Sequence, residues 1–209
     1  MSGLFITFEG ADGCGKSTQL KFLAEYLKEN GADVVLTREP GGSLVAEKIR
    51  EILLDKENAE MDAMTEALLY AAARAEHVRK VIKPALQEGK VVLCDRFVHS
   101  SLAYQGYGRL LGVPLVQRIN EPAIDGCIPD VTVFMVVPPE HAFSRMNEHR
   151  EHDRLESEGL AFHKRAFEGL TELSHEAGMI LIDAHGTKYE TQDIIRQRLL
   201  PIFKEKGVL

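Results

Sequence analysis

The sequence predicts an α/β fold in which helices cover both faces of a parallel β-sheet. Strand-forming runs recur along the 209 residues, longer helical patterns separate them, and four of the five runs are apolar without strict alternation. The last feature is typical of strands that are covered on both faces. Regular alternation of strand and helix patterns indicates a parallel sheet. The predicted strands span residues 4–9, 33–39, 90–97, 131–137 and 179–184.

The helical patterns lie between these strands and after the last one. Gly31 and Gly89 follow two of them at the position where a left-handed glycine commonly ends a helix. No internal repeat or low-complexity linker divides the chain, so one domain over residues 1–209 is expected. The predicted helices span residues 16–30, 43–54, 65–87, 113–123, 139–149, 155–176 and 190–199.

Composition excludes several classes of function. A formal net charge of −7 argues against a generally basic surface, so no nucleic-acid partner is expected. No apolar run approaches the ~20 residues of a membrane span, and the N-terminal residues lack the basic region of a signal peptide, so no membrane partner is expected. The three cysteines, Cys14, Cys94 and Cys127, are far apart and have no metal-ligand spacing. They indicate a reducing, cytoplasmic setting.

A glycine-rich loop follows the first predicted strand. Gly10, four residues, Gly15, Lys16 and Ser17 fit the phosphate-binding pattern G-x-x-x-x-G-K-[ST], with a strand before it and a helix after it. Glycines let several backbone N–H groups converge on one anion at a helix N-terminus. Lys16 is expected to reach the β- and γ-phosphates, and Ser17 to hold Mg²⁺. The loop residues expected to bind the nucleotide are Gly10, Asp12, Gly13, Cys14, Gly15, Lys16, Ser17 and Thr18.

Three classes of nucleotide-binding protein carry such a loop. GTP-hydrolysing switches need a guanine-reading N-K-x-D segment, which the sequence lacks, and "DAHG" (183–186) lies too late to be their D-x-x-G. Mechanical ATPases are usually larger or carry partner surfaces that this acidic chain lacks. Small kinases need a second anion site, a metal-holding carboxylate and mobile cations. The sequence favours this third class.

Two predicted strands end in charged residues that suit such a kinase. Asp95 and Arg96 follow one strand, and the segment "TREPGG" (37–42) with Glu39 ends another. The carboxyl ends of strands face the ligand crevice of an open α/β sheet, so Asp95 is a candidate for the Mg²⁺ shell and Arg96 for an acceptor phosphate. Alternatively, Asp95 and Arg96 form a surface ion pair, and "TREPGG" is a plain turn.

The motifs "FEGADGCGKSTQ", "TREPGG", "YAAARAEH" (70–77) and "DRFVHSSLAYQG" (95–106) resemble the successive motifs of thymidylate kinases, in order and in spacing. The resemblance covers essentially the whole chain. It implies a P-loop kinase fold with a five-stranded parallel sheet, a short lid and a homodimer. It also implies in-line transfer of the γ-phosphoryl group from ATP to dTMP, giving dTDP for dTTP supply, with Mg²⁺ as cofactor.

For the phosphates and sugar of the acceptor, the resemblance implies roles for five residues. Asp12 contacts the 3′-hydroxyl of dTMP, and Arg96 with Arg50 grips the acceptor phosphate. Two guanidinium groups suit a dianion better than lysines do. Glu39 and Asp95 support the Mg²⁺ and water shell.

For the base, the resemblance implies that Tyr70 stacks on thymine and that Arg74 hydrogen-bonds one of its carbonyls. Ser101 and Gln105 read the polar edge of the ring, and Tyr104 crowds the sugar 2′ position and disfavours ribonucleotides. The spacing of four within each pair, Tyr70 with Arg74 and Ser101 with Gln105, also fits a helix face that is only structural.

A charge-dense segment resembles the lid, at about residues 147–160. Some relatives carry an arginine in the phosphate loop where this chain has Gly13, so another cation must stabilise the transferring group. Arg150 and Arg154 are the candidates: one or both are expected to swing over the ATP phosphates on closure. From its composition alone, the same segment is a solvated helical face.

Further residues of interest lie in or near the lid segment and after the last predicted strand. Arg145 lies on the helix before the lid, near the adenine or simply on the surface, and Ala184 in "DAHG" is expected near the adenine through its backbone. His149 and His152 are three apart, but a third zinc ligand is missing from the pattern.

Two rival functions remain open from the sequence. One is a kinase for another acceptor, such as dUMP or a deoxynucleoside. The other is a nucleotide-dependent switch module that transfers nothing.

Overall fold

A computed structural model of the protein describes residues 3–138, 141, 153–176 and 178–209. Within these residues, five parallel strands form one sheet in the order β2-β3-β1-β4-β5. The predicted α/β class and all five predicted strands are confirmed. The strands are β1 (Leu4–Gly10), β2 (Val34–Arg38), β3 (Val91–Asp95), β4 (Val131–Val136) and β5 (Ile180–Asp183).

Helices surround this sheet, and two stretches adopt π-helical geometry. Val78–Ile82 joins two α-helices, and Leu102–Gly108 extends another. A short 3₁₀ turn covers Lys56–Asn58. The described α-helices are α1 (Lys16–Glu29), α2 (Leu44–Leu54), α3 (Ala63–His77), α4 (Lys83–Gln87), α5 (Val98–Ser101), α6 (Val113–Ile124), α7 (Leu160–Glu176) and α8 (Lys188–Glu205).

Side-chain caps fix where three helices begin. Ser43 Oγ accepts from the Ala46 amide at the start of α2, and Asp62 Oδ1 accepts from the Met64 amide at the start of α3. Thr187 and Glu190 form a reciprocal capping box at the start of α8. Each cap satisfies backbone donors that the first helical turn leaves without a partner.

The helix predictions differ from the structure in several places. The last helix, Lys188–Glu205, is longer than the predicted 190–199, and the predicted helix 65–87 is interrupted by the π-helical turn Val78–Ile82. The helical stretch at residues 98–108 was not predicted, because its glycines have low helix propensity. A Cβ at Gly108 would lie 2.7 Å from the Phe162 ring, so the small residue allows α7 to pack closely. The helix predicted from residue 155 begins at Leu160, because residues 154–157 form a turn. The helix predicted at 139–149 lies outside the described residues, apart from His141.

The strand register brings three loops together at one edge of the sheet. Asp95 at the end of β3 is level with Phe8 of β1 and with Arg38 of β2. Alternate residues of β1 face opposite sides: Leu4, Ile6 and Phe8 pack against α1 and α8, whereas Phe5 packs on the other face. The glycine loop, "TREPGG" and the start of α5 therefore converge at the carboxyl edge.

Candidate active site

A cavity of about 670 Å³ lies at this carboxyl edge, between the glycine loop, α2, α3 and the π-helical turn after α5. Most of the residues predicted as binding or catalytic share its walls. Those residues are Asp12, Gly13, Gly15, Lys16, Ser17, Thr18, Glu39, Arg50, Tyr70, Arg74, Asp95, Arg96, Ser101, Tyr104 and Gln105. The structure thus gathers side chains from residue 12 to residue 105 of the sequence at one place.

The glycine loop wraps around the Lys16 side chain. Lys16 Nζ donates to the Gly10 carbonyl at 3.1 Å and to the Ala11 carbonyl at 2.9 Å. Gly15, just before α1, has φ +97°, which favours glycine. Cys14 is buried, with its Sγ 3.8 Å from Lys16 Nζ, and does not line the cavity. The N-terminus of α1 opens on the cavity, and such a terminus attracts anions.

Ser17 and Asp95 form an oxygen-rich pair beside the loop. Ser17 Oγ donates to Asp95 Oδ2 at 2.6 Å, so the ends of two separate elements meet here. Within the described part of the chain, no group of three or more His, Cys, Asp or Glu could hold a metal ion. Mg²⁺ commonly takes one or two protein oxygens and fills its remaining positions with water and substrate phosphates. The pair therefore fits Mg²⁺ that is bound together with a polyphosphate.

A second group of residues, here called the glycine-loop cluster, consists of Asp12, Arg96 and Tyr104. Arg96 Nη2 lies 2.5 Å from Asp12 Oδ1, Arg96 Nη1 donates to the Gly10 carbonyl, and the guanidinium lies 5.0 Å from the centre of the Tyr104 ring. Burial opposes ionisation of Asp12, but the charges of Arg96 and Lys16 outweigh it and lower the pKa of Asp12 well below its usual value. The carboxylate stays ionised and holds Arg96 at the cavity.

Glu9 is a buried acid that the sequence analysis did not single out. Its carboxylate accepts from the Phe97 amide at 2.9 Å and from Ser100 Oγ, which also accepts from Arg96 Nη1. Burial raises the pKa of Glu9 to about 7, although the Ser100 hydrogen bond and the Arg96 charge oppose this rise. A charged residue inside an apolar strand was the signal that could have identified it.

Arg74 of α3 is fixed by four neighbours. It donates to Glu39 at 2.7 Å, to Ser101 Oγ at 3.0 Å and to the Phe97 carbonyl at 3.1 Å, and it contacts Asn120 Oδ1. Arg74 is 1% exposed, so these contacts hold a charge that water does not reach. The structure brings Arg74 and Ser101 into contact, and their reading of a base stays a prediction.

Glu39 anchors Arg74 from the other side. Its second oxygen pairs with His77 Nδ1 at 3.0 Å, and His77 Nε2 lies 2.7 Å from Thr37 Oγ1. Both Glu39 oxygens therefore contact side chains other than Ser17 and Asp95. Support of a Mg²⁺ shell by Glu39 stays a prediction. The observed contacts of Glu39 hold Arg74 in place.

Arg50 and Tyr70 face the cavity from α2 and α3. Arg50 Nη1 donates to the Pro40 carbonyl at 2.8 Å, and burial and the nearby Arg38 charge lower its pKa. A second cation nearby favours an anionic ligand at this wall. Burial raises the pKa of the Tyr70 hydroxyl, so the ring is neutral and suited to stacking.

A further buried group, here called the Glu66 cluster, consists of Glu66, Gln105, Arg109 and Arg154. Gln105 Nε2 donates to Glu66 at 2.8 Å, Arg109 Nη2 at 2.9 Å and Arg154 Nη2 at 2.6 Å. Burial opposes ionisation of Glu66, but the hydrogen bonds from Arg109, Gln105 and Arg154 lower its pKa overall. Glu66, Tyr70 and Arg74 are four residues apart on α3, a spacing that could have revealed Glu66 from sequence.

Arg154, which with Arg150 is predicted to supply one or both of the lid cations on closure, lies in a buried cluster here. It is 4% exposed, donates to the Leu53 carbonyl at 2.7 Å and pairs with Glu66, and its contact with the donor phosphates stays a prediction. It does not line the cavity, whereas its neighbours Asp153, Leu155 and Glu156 do. Burial with a carboxylate partner fixes Arg154 against α2 and α3 in this conformation.

The remaining predicted residues lie near the lid or after β5. Arg145, His149, Arg150 and His152 lie outside the described residues. Ala184 is buried after β5, with its amide 3.5 Å from the Val136 carbonyl, and is not among the cavity residues. Its contact with adenine stays a prediction.

Comparison with known proteins agrees with the resemblance of the motifs. Residues 8–195 match the family model described as thymidylate kinase. A thymidylate kinase of Finegoldia magna is 50% identical over 207 residues, which cover 99% of this chain and 100% of that protein. One of Bacillus velezensis is 54% identical over 81% of each chain, and one of Exiguobacterium sp. is 44% identical over 100% of this chain and 99% of that protein.

Proposed function

The chain belongs to the thymidylate kinase family, and we propose that its cavity catalyses the ATP-dependent phosphorylation of dTMP to dTDP. One observation carries the proposal: a single cavity joins the glycine loop at the start of α1 to a wall of guanidinium and aromatic groups. The loop end suits the polyphosphate of a donor. The opposite wall suits a phosphorylated pyrimidine nucleoside, which supports dTMP as the acceptor.

The reaction requires no covalent enzyme intermediate. The acceptor phosphate oxygen attacks the γ-phosphorus, the bond to the β,γ-bridging oxygen breaks, and ADP leaves with the electron pair. Positioning and charge stabilisation supply the catalysis in such a transfer. Lys16 neutralises charge on the donor phosphates, which in turn replace the loop carbonyls as its partners. Arg96 and Arg50 hold the acceptor phosphate in line.

The choice of sugar and base follows from the glycine-loop cluster and α3. Tyr104 donates to Asp12 Oδ2 at 3.2 Å, so the ring lies beside the carboxylate proposed to bind the 3′-hydroxyl. A 2′-hydroxyl next to it would meet the Tyr104 ring. Tyr70 provides a stacking surface, and Arg74, Ser101 and Gln105 provide hydrogen bonds to the base.

Mg²⁺ would be held by Ser17 and by Asp95, whose contact at 2.6 Å puts two hard oxygens together. When bound, it supplies Lewis-acid neutralisation of phosphate charge. The carboxylate of Asp95 orients the Ser17 hydroxyl by accepting its hydrogen bond. Chelation of divalent ions should abolish turnover and leave the fold intact.

The cation that covers the transferring group is proposed to come from the lid, with Arg150, Arg154 or both as candidates. Arg154 would have to leave its contact with Glu66 on closure. A homodimer fits the exposed apolar side chains of α2 and α3, namely Leu44, Val45, Ile52 and Leu68. The three cysteines are all buried and free, which fits a reducing, cytoplasmic setting. Among the described helices, each is too short or too polar to cross a membrane.

A coupled assay of ADP release tests the proposal. With ATP and Mg²⁺, we expect ADP release to require dTMP and dTDP to form in equal amount. Slow release that is indifferent to dTMP would identify a switch module instead. Competing dUMP and deoxynucleosides in the same assay identify the preferred acceptor, and preference for one of these over dTMP would refute the assignment.

A further inference from the structure

We propose that Glu66 is a positioning residue for base recognition: it fixes the amide orientation of Gln105, so that the Gln105 carbonyl selects a pyrimidine whose N3 carries a proton. The proposal rests on the proposed function and adds a residue of α3 that has no place in the reaction described above. It follows from the hydrogen bonds of a buried carboxylate.

First, the Gln105 amide turns its nitrogen toward Glu66. An amide has one donor end and one acceptor end, and the neighbouring group decides which end faces it. An ionised carboxylate only accepts hydrogen bonds, so Gln105 must turn its Nε2 toward Glu66, as it does at 2.8 Å. The carbonyl oxygen then points away from Glu66, and Gln105 lines the cavity.

The second step is what keeps Glu66 ionised and immobile. The residue is 0% exposed, and two guanidinium groups converge on its carboxylate. Arg109 donates through Nε and Nη2, and Arg154 donates through Nη2. A buried carboxylate with two cationic partners neither takes up a proton near neutral pH nor rotates freely.

The third step is the chemical consequence at the base. Thymine and uracil carry a proton on N3, whereas N3 of cytosine is an acceptor. A carbonyl oxygen held at the Gln105 position accepts a hydrogen bond from N3 of thymine or uracil. Opposite cytosine, the same oxygen would face the N3 acceptor and no hydrogen bond would form. A site that presents one fixed partner rejects the mismatched analogue strongly, because a buried polar group is left unpaired.

The experiment compares Glu66→Gln with Glu158→Gln in the full-length protein. Glu158 also pairs with Arg109, through a contact of 2.5 Å to Nη1, so both variants remove an acid from the same arginine. Of the two acids, Glu66 accepts from Gln105. The readouts are the Kd values of dTMP and dCMP by calorimetry, which need no turnover, and kcat/KM for dTMP and KM for ATP.

We expect Glu66→Gln to reduce the preference for dTMP over dCMP about tenfold, because a glutamine at 66 accepts either orientation of Gln105. The KM for ATP should stay unchanged, and Glu158→Gln should keep the wild-type preference. A folded Glu66→Gln variant with wild-type preference overturns the proposal, as does a loss of affinity for both nucleotides in equal proportion. If Glu66→Gln does not fold, Glu66→Asp decides, because it keeps the charge but shortens the reach to Gln105.

Failure of the proposed function gives a different result. If the wild-type protein binds dTMP in preference to dCMP but does not phosphorylate it, the transfer assignment fails and the role of Glu66 is still measured. If the wild-type protein shows no preference between the two bases, the inference fails whatever the turnover.

Discussion

The glycine-loop cluster and the Glu66 cluster both pair arginine with carboxylate, but they differ in access. The Arg96 and Asp12 side chains are 16% and 26% exposed, whereas those of Arg154 and Glu66 are 3% and 0% exposed. A partly open pair can exchange partners with a ligand at low cost, because water and phosphate oxygens compensate the separated charges. A closed pair cannot, because an unpaired buried charge is strongly unfavourable. The presence of an arginine alone therefore does not show whether its charge is available to a substrate.

The largest expected effect lies at Lys16, which is next to the glycine-loop cluster and is only 6% exposed. Lys16→Ala should reduce kcat about 1,000-fold, because it removes a cation aimed at the charge that develops in transfer. Its Nζ contacts loop carbonyls, so the unfolding temperature should change little. Steady-state kinetics and a thermal melt measure both quantities, and full turnover in this variant would contradict the assignment of the loop.

Arg154→Ala tests the buried Glu66 cluster. Loss of one partner from the buried cluster should lower the free energy of unfolding by about 3 kcal/mol. Arg109 and Gln105 still contact Glu66, which limits the loss. Chemical denaturation gives the value, with Arg154→Lys as a control that keeps the charge. A variant of normal stability whose kcat has collapsed would instead place Arg154 among the catalytic cations.

Arg96→Ala provides the matching change in the open cluster. We expect kcat/KM for dTMP to fall about 100-fold, while KM for ATP stays near the wild-type value. Stability should drop by about 1 to 2 kcal/mol, less than in Arg154→Ala, because the Asp12 side chain is 26% exposed and water partly compensates the charge left behind. A large loss of stability in Arg96→Ala together with a large loss of kcat/KM in Arg154→Ala would contradict the distinction between the open and the closed cluster.

The smallest effect concerns Glu9, the buried acid behind the open cluster. The folded protein holds the Glu9 proton up to about pH 7, whereas the ordinary value for the side chain is 4.5. Folded protein thus binds more protons than unfolded protein in this window, and stability falls as pH rises through it. Relative to Glu9→Gln, the wild-type protein should lose about 1 to 2 kcal/mol between pH 5 and pH 7.

Melting curves of the two proteins across this pH range measure the difference. Glu25→Gln is the matched control, since it changes an exposed acid on α1 and should follow the wild-type curve. Parallel curves for wild type and Glu9→Gln would show that Glu9 is ionised throughout the range.

Local patterns in the sequence were sufficient for the strands, most helices and the glycine loop. Hydrophobic periodicity, capping residues and glycines each act over a few residues. Gly31 at φ +89° and Gly89 at φ +78° occupy the helix ends as predicted. The helical stretch after β3 was missed because its glycines have low helix propensity and because the packing against α7 that stabilises it is not visible in sequence periodicity.

The sequence by itself determined which residues carry charge or hydrogen-bonding groups and which loop has the phosphate-binding pattern. Only the tertiary structure decided how they pair: Glu39 with Arg74 and His77, Gln105 with Glu66, and Arg154 with Glu66 across 88 positions. The physical reason is that burial and distance set the free energy of a charge, and neither quantity is local in the chain. The same residue type thus lies at an open cavity wall in one place and in a closed ion pair in another.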